Sequence, residues 1–107
     1  MPANLVSTQT ANITSSQTVY NPTSSGVQTT VTGCLVANTT GAPLTATVTL
    51  TNATATVTTN IVKNVSIPSG TALDIMNSAK INMVQNQVLA VSATGAVDVT
   101  VSSVELT

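Results

Sequence analysis

Residues 44–59 read LTATVTLTNATATVTT, and their alternation decides the fold class. Thr49, Thr51, Thr54, Thr56 and Thr58 alternate with Val48, Leu50, Ala53, Ala55 and Val57. A period of two sends successive side chains to opposite faces of a sheet, so the stretch makes strands with one apolar and one hydroxyl face. Such a hydroxyl face, almost without charged or aromatic side chains, is poorly equipped for acid–base chemistry. It suits a surface that is covered by copies of itself or by other proteins.

Working outward, the same pattern recurs between turn clusters. A short strand at 17–20 ends in Asn21-Pro22-Thr23-Ser24-Ser25-Gly26, a turn signal. Residues 27–38, VQTTVTGCLVAN, place Val27, Val31 and Leu35 on one face, with Gly33 marking a bulge or a close backbone approach. The turn at 38–43 leads into a strand at 44–51, which reverses near Asn52 into a long strand at 53–67. Lys63 falls in the inward register of that strand, which predicts a bulge or an edge. After Pro68-Ser69-Gly70 come short strands at 71–76 and 79–84 around Asn77-Ser78, then strands at 87–94 and 96–106. In the last, Val97, Val99 and Val101 give way to Val104 and Leu106 after Ser102-Ser103, a change of parity that predicts another bulge.

Seven to eight short strands with turns between them indicate an all-β antiparallel sandwich, Ig-like or jelly-roll. Residues 17–107 form its single domain. Residues 1–16 are polar, with Leu5, Val6 and Ile13 as apolar anchors, and read as an extended arm or a loosely attached first strand, either a frayed terminus or an arm that docks on a neighbour.

Composition narrows the function. Charged residues are 5% of the 107, where about a quarter is usual. Two lysines and no arginine leave no basic patch for nucleic acid or for a membrane surface. No run approaches the roughly 18 apolar residues of a membrane span. MPANLVSTQT lacks the basic start and apolar run of a signal peptide, so synthesis and folding in a cytoplasm are expected. Without histidine, and with Cys34 alone, no cofactor, metal or intrachain disulfide is expected. Asp74, Asp98 and Glu105 are the only acids, too few and too scattered for a calcium site or a catalytic pair. The sequons at Asn12, Asn38, Asn52 and Asn64 are those expected by chance in a chain so rich in Asn, Ser and Thr.

The core lacks Phe and Trp, and Tyr20 is the only ring. A core of Val, Leu, Ile, Met and Ala is thin, so assembly is expected to contribute to stability. Tyr20 either anchors an interface or closes the core with its hydroxyl at the rim. Leu5, Val6, Ile13 and Tyr20 are thus the candidate interface residues. A carbohydrate-binding or adhesin module would need an aromatic platform, and Tyr20 alone could serve.

Several stretches resemble small virion proteins of tailed bacteriophages. Tyr20-Asn21-Pro22 through Gly26, followed by Val31-Thr32-Gly33-Cys34-Leu35-Val36-Ala37-Asn38-Thr39-Thr40-Gly41, is similar to their opening turn and strand. Val65-Ser66-Ile67-Pro68-Ser69-Gly70-Thr71-Ala72-Leu73 resembles their proline–glycine turn, and residues 87–102 resemble their closing strands. The resemblance spans residues 18–106. It departs in carrying threonines where relatives often carry charges, and in lacking the aromatics that often close the last strand. It implies a non-enzymatic virion component. One form is a capsid cement or decoration protein that stabilises the head by binding across capsomers; the other is a neck, collar or tail-associated ring protein. The implied partners are the major capsid protein or neck and tail proteins, together with further copies in a homo-oligomer, a three-fold trimer being one arrangement.

Overall fold

The computed structural model describes residues 3–22, 28–52, 56–75 and 80–106. Among these described residues nine strands follow in order: β1 (Ala3–Ile13), β2 (Gln17–Tyr20), β3 (Gln28–Asn38), β4 (Leu44–Asn52), β5 (Val57–Ile67), β6 (Ala72–Asp74), β7 (Ile81–Met83), β8 (Gln87–Ala93) and β9 (Val97–Leu106). The expected turn at Asn77-Ser78 and the expected strand positions at Val27 and 53–55 lie outside the described residues.

The pairing is nested. β4 pairs with β5, β3 with β6 and β7, β2 with β8, and β1 with β9, all antiparallel. The two halves of the chain therefore form one long double ribbon. Rolling that ribbon brings β9 beside β3 and β8 beside β4. The result is a first sheet in the order β1-β9-β3-β6, with β7 also on β3, and a second sheet in the order β2-β8-β4-β5. This is the strand order of an eight-position jelly roll, with β6 and β7 sharing one position. The Ig-like alternative is set aside by the nesting.

β4 shows why the opening stretch folds as it does. Leu44, Ala46 and Val48 are buried between the sheets, while Thr45, Thr47, Thr49 and Thr51 stay half-exposed on the outer face. The opposing interior comes chiefly from Val31, Cys34, Val36, Val97, Val99 and Val101, with Leu89 and Val91 beside β4. Valine is the commonest core residue; its branched Cβ fits a pleated surface, and each buried side chain contributes about 1.5–3 kcal/mol.

Two parity expectations need correction. β9 has no bulge: it pairs with β1 without a break from Val99 to Leu106. Its inward set continues through Ser103, which is buried, so Val104 and Leu106 face outward. The extra residue lies in β3, where Val31 opposes Ser103 and Gly33 already opposes Ser102, leaving Thr32 unmatched. That bulge flips the parity of β3. Val31 points inward, but Leu35 points out and is 49% exposed, and Cys34, Val36 and Asn38 take the interior. The irregularity expected at Lys63 is present: register shifts flank Val62, and Asn64 has φ of 53°. β5 is also an edge strand.

Candidate interaction surface

The charged side chains do not converge. Lys63, Lys80, Asp74 and Asp98 are exposed on separate elements, and among the described residues no group of three His, Cys, Asp or Glu could hold a metal. Asp98 has a local task, accepting the Asn12 backbone N–H at 2.8 Å. The buried Cys34 thiol is pushed up to about 11, by burial first and by the Asp74 charge second, so it stays protonated and unreactive at neutral pH.

Among the described residues, Tyr20, Thr29 and Glu105 form a partly buried polar cluster. The Tyr20 hydroxyl donates to Glu105 Oε2, which leaves Thr29 Oγ1, 3.0 Å away, to donate to the phenol oxygen. Burial raises the phenol above its ordinary value, donation to Glu105 raises it further, and the Thr29 and Ser103 hydroxyls pull against both. Ser103 Oγ is buried near the phenol, and among the described residues it meets no partner in full hydrogen-bond geometry. A phenol that keeps its proton beside a carboxylate makes a structural tie, and the ring is shut inside the sandwich.

The sheet edges are unequal. β6 and β7 are three residues each, and β2 is four with a register shift. β5 is long, but its edge is interrupted by two register shifts, by Lys63 and by the positive φ of Asn64. Bulges, shortness and lysine are the ordinary defences of an edge. β1 has none of them over Ala3–Thr10, where its register against β9 is unbroken and no charged or proline residue occurs. Its first irregularity comes at Ala11-Asn12, where Asn12 takes φ of 59°. Among the described residues no strand pairs with the other side of β1.

The outer face beside this edge carries apolar groups. Leu5 is 88% exposed and lies opposite Val104, which in turn lies opposite Thr30 on β3. A shallow groove next to Leu5 is lined by Ser7, Thr32 and Ser102. Of the four candidate interface residues, Leu5 is on this open face and Val6 is half-buried beneath the edge, while Ile13 and Tyr20 are packed inside the sandwich.

Sequence reasoning missed Asn38. It is buried, with Nδ2 donating to the carbonyls of Ala42 and Ile67, each at 2.9 Å, while Oδ1 accepts from Thr40 N at 2.9 Å and Thr40 Oγ1 at 2.7 Å. All four hydrogen-bonding positions of the amide are filled. The side chain ties the β3–β4 turn to the end of β5. The only sequence signal was an Asn opening a turn, which serves equally as a sequon or an Asx-turn.

No protein-family model and no curated protein sequence matches the chain. Among solved structures, the fold is similar to a chain of the Bacillus endospore appendages, a family of disulfide-linked pili. The TM-score is 0.56 at 13% identity, over 99% of this chain and 87% of that one. Two structures of a pentameric capsid protein isolated from metagenomic phage sequences align at a TM-score of 0.46 and 16% identity. They cover 91% of this chain and 59% and 60% of theirs. At 13% identity the likeness to the appendage chain is one of fold.

Proposed function

We propose that the protein is a non-enzymatic structural component of a tailed-phage virion, most specifically a cement or decoration protein that stabilises the head by binding across capsomers. The observation that carries the assembly part is the undefended edge of β1 with the exposed Leu5 beside it. The virion part rests on the sequence resemblance over residues 18–106. Jelly rolls are common in capsids and lectins alike, so the fold supports both settings by analogy only. The burial of Tyr20 weighs against a sugar-binding or adhesin role, because the only ring cannot serve as a stacking platform. Catalysis is disfavoured by the scatter of the acids and by the inert thiol.

Binding only the assembled shell would stabilise it by mass action. The test is quantitative staining of purified virions together with co-sedimentation of purified protein with assembled heads. Hundreds of copies per particle, and binding to assembled heads but not to free capsid subunits, are expected. One or a few rings' worth of copies favours a neck, collar or tail ring, and absence from virions ends the reading.

A further inference from the structure

We propose that the open edge of β1 is a self-association site. The β1 of a second copy pairs with it antiparallel about a two-fold axis, and the first sheet runs on from one molecule into the next. An edge of free N–H and C=O groups is completed by another such edge. Among the described residues the other edges are short or broken by shifts, so the matching long edge is another β1. A surface that pairs with itself is isologous and closes at two copies. A three-fold contact would have to join β1 to one of the interrupted edges.

Charge and register agree with this occupant. Ala3–Ile13 carries no charged side chain, so self-pairing sets no like charges opposite each other. The two-fold stands normal to the sheet, so opposed residues must share a face. Leu5, Ser7 and Gln9 share the outer face with Val104, Ser102 and Thr100, and Val6, Thr8 and Thr10 share the inner face with Ser103, Val101 and Val99. With Ser7 on the axis, Leu5 falls opposite Gln9, Val6 opposite Thr8 and Asn4 opposite Thr10. Pairing then stops just short of the Ala11-Asn12 irregularity. Leu5, 88% exposed in the single chain, gains the Gln9 methylenes as cover. The contact is one strand wide, below the roughly 800 Å² per partner of a standard interface, so the dimer is weak and concentration-dependent.

The inference rests on the same β1 edge as the assembly reading, but it concerns the isolated chain, and its test is read on purified protein without virions. Sedimentation equilibrium of the purified protein tests it, with circular-dichroism melting as the fold control. A monomer–dimer equilibrium is expected, and Ser7→Lys should weaken it at least tenfold without changing the melt of the monomer. Thr58→Lys, on the β5 edge, should leave it unchanged. Ser7→Cys should oxidise to a covalent dimer and nothing larger, the buried Cys34 staying out of the reaction. A chain that stays monomeric at millimolar concentration overturns the proposal, as does a species larger than a dimer or a dimer indifferent to Ser7→Lys. So does a monomer that attaches to particles through β1, which would make the occupant a foreign strand.

Discussion

The Tyr20 hydroxyl on β2 donates to the Glu105 carboxylate on β9, fastening one sheet to the other across 85 positions of sequence. Tyr20→Phe strands both Glu105 and Thr29 and should cost about 1–3 kcal/mol. Glu105→Gln keeps an acceptor oxygen but loses the charge, and should cost about 1 kcal/mol. Denaturant unfolding followed by circular dichroism, as a double-mutant cycle, should give a coupling of about 1 kcal/mol. Additive effects would mean that the tie contributes nothing of its own.

Asn38 should be the most sensitive polar position. Asn38→Asp turns an oxygen towards the Ala42 and Ile67 carbonyls that its amide now serves, and Asn38→Ala leaves those carbonyls and the Thr40 N–H without it. A loss of about 3 kcal/mol or more is expected for Asp and about 2–4 kcal/mol for Ala, read from urea midpoints. Changes under 1 kcal/mol would show that water replaces the amide.

Deleting Thr32 should be tolerated. It is the unmatched residue of the β3 bulge, so its removal leaves Val31, Gly33 and Cys34 in regular in–out–in alternation. Deleting Leu35 instead reverses the faces of Val36 and Asn38 relative to Cys34 and should prevent folding. Circular dichroism and melting of the two deletions make the comparison. Equal damage from both would refute the placement of the bulge.

Stability should fall in alkali. The Cys34 thiol moves from 9.0 in the exposed state to about 11 when folded, so the fold retains a proton that the unfolded chain releases. Its contribution is whole below pH 9 and is lost as pH rises towards 11, by about 2–3 kcal/mol. The raised Tyr20 phenol adds in the same direction at higher pH. Cys34→Ala should start less stable by roughly 1 kcal/mol for the lost sulfur yet show a shallower fall of Tm between pH 9 and 11. Parallel curves would sink the assignment.

The strands were legible because alternation and turn residues are local signals. The apolar face of β4 could be read at sight, and Lys63 flagged the broken edge of β5. Faces were lost wherever parity changed. Val101 followed by Val104 looks the same whether a residue is inserted or a serine turns inward, and Ser103 turned inward. The true insertion, at Thr32, displaced Leu35 from the core and left no hydrophobic trace beyond Gly33. Partnerships were lost for a different reason. The openness of β1, like the Tyr20–Glu105 tie, is a property of which strands lie side by side, and a period of two carries no information about neighbours.

The nested ladder also orders events in time. Among the strand pairings of the described residues, β4–β5 closes the shortest loop, whereas β1 must wait for β9, far along the chain. Loop-closure entropy favours nucleation at the hairpin and zipping outward, with slow overall folding. Pulse-labelled hydrogen exchange should therefore protect Thr49–Asn52 before Leu5–Thr10. For as long as β1 stays unzipped, a nascent molecule offers both β1 and the vacant flank of β9, so concentration during synthesis governs whether it seals alone or by trading strands with a neighbour.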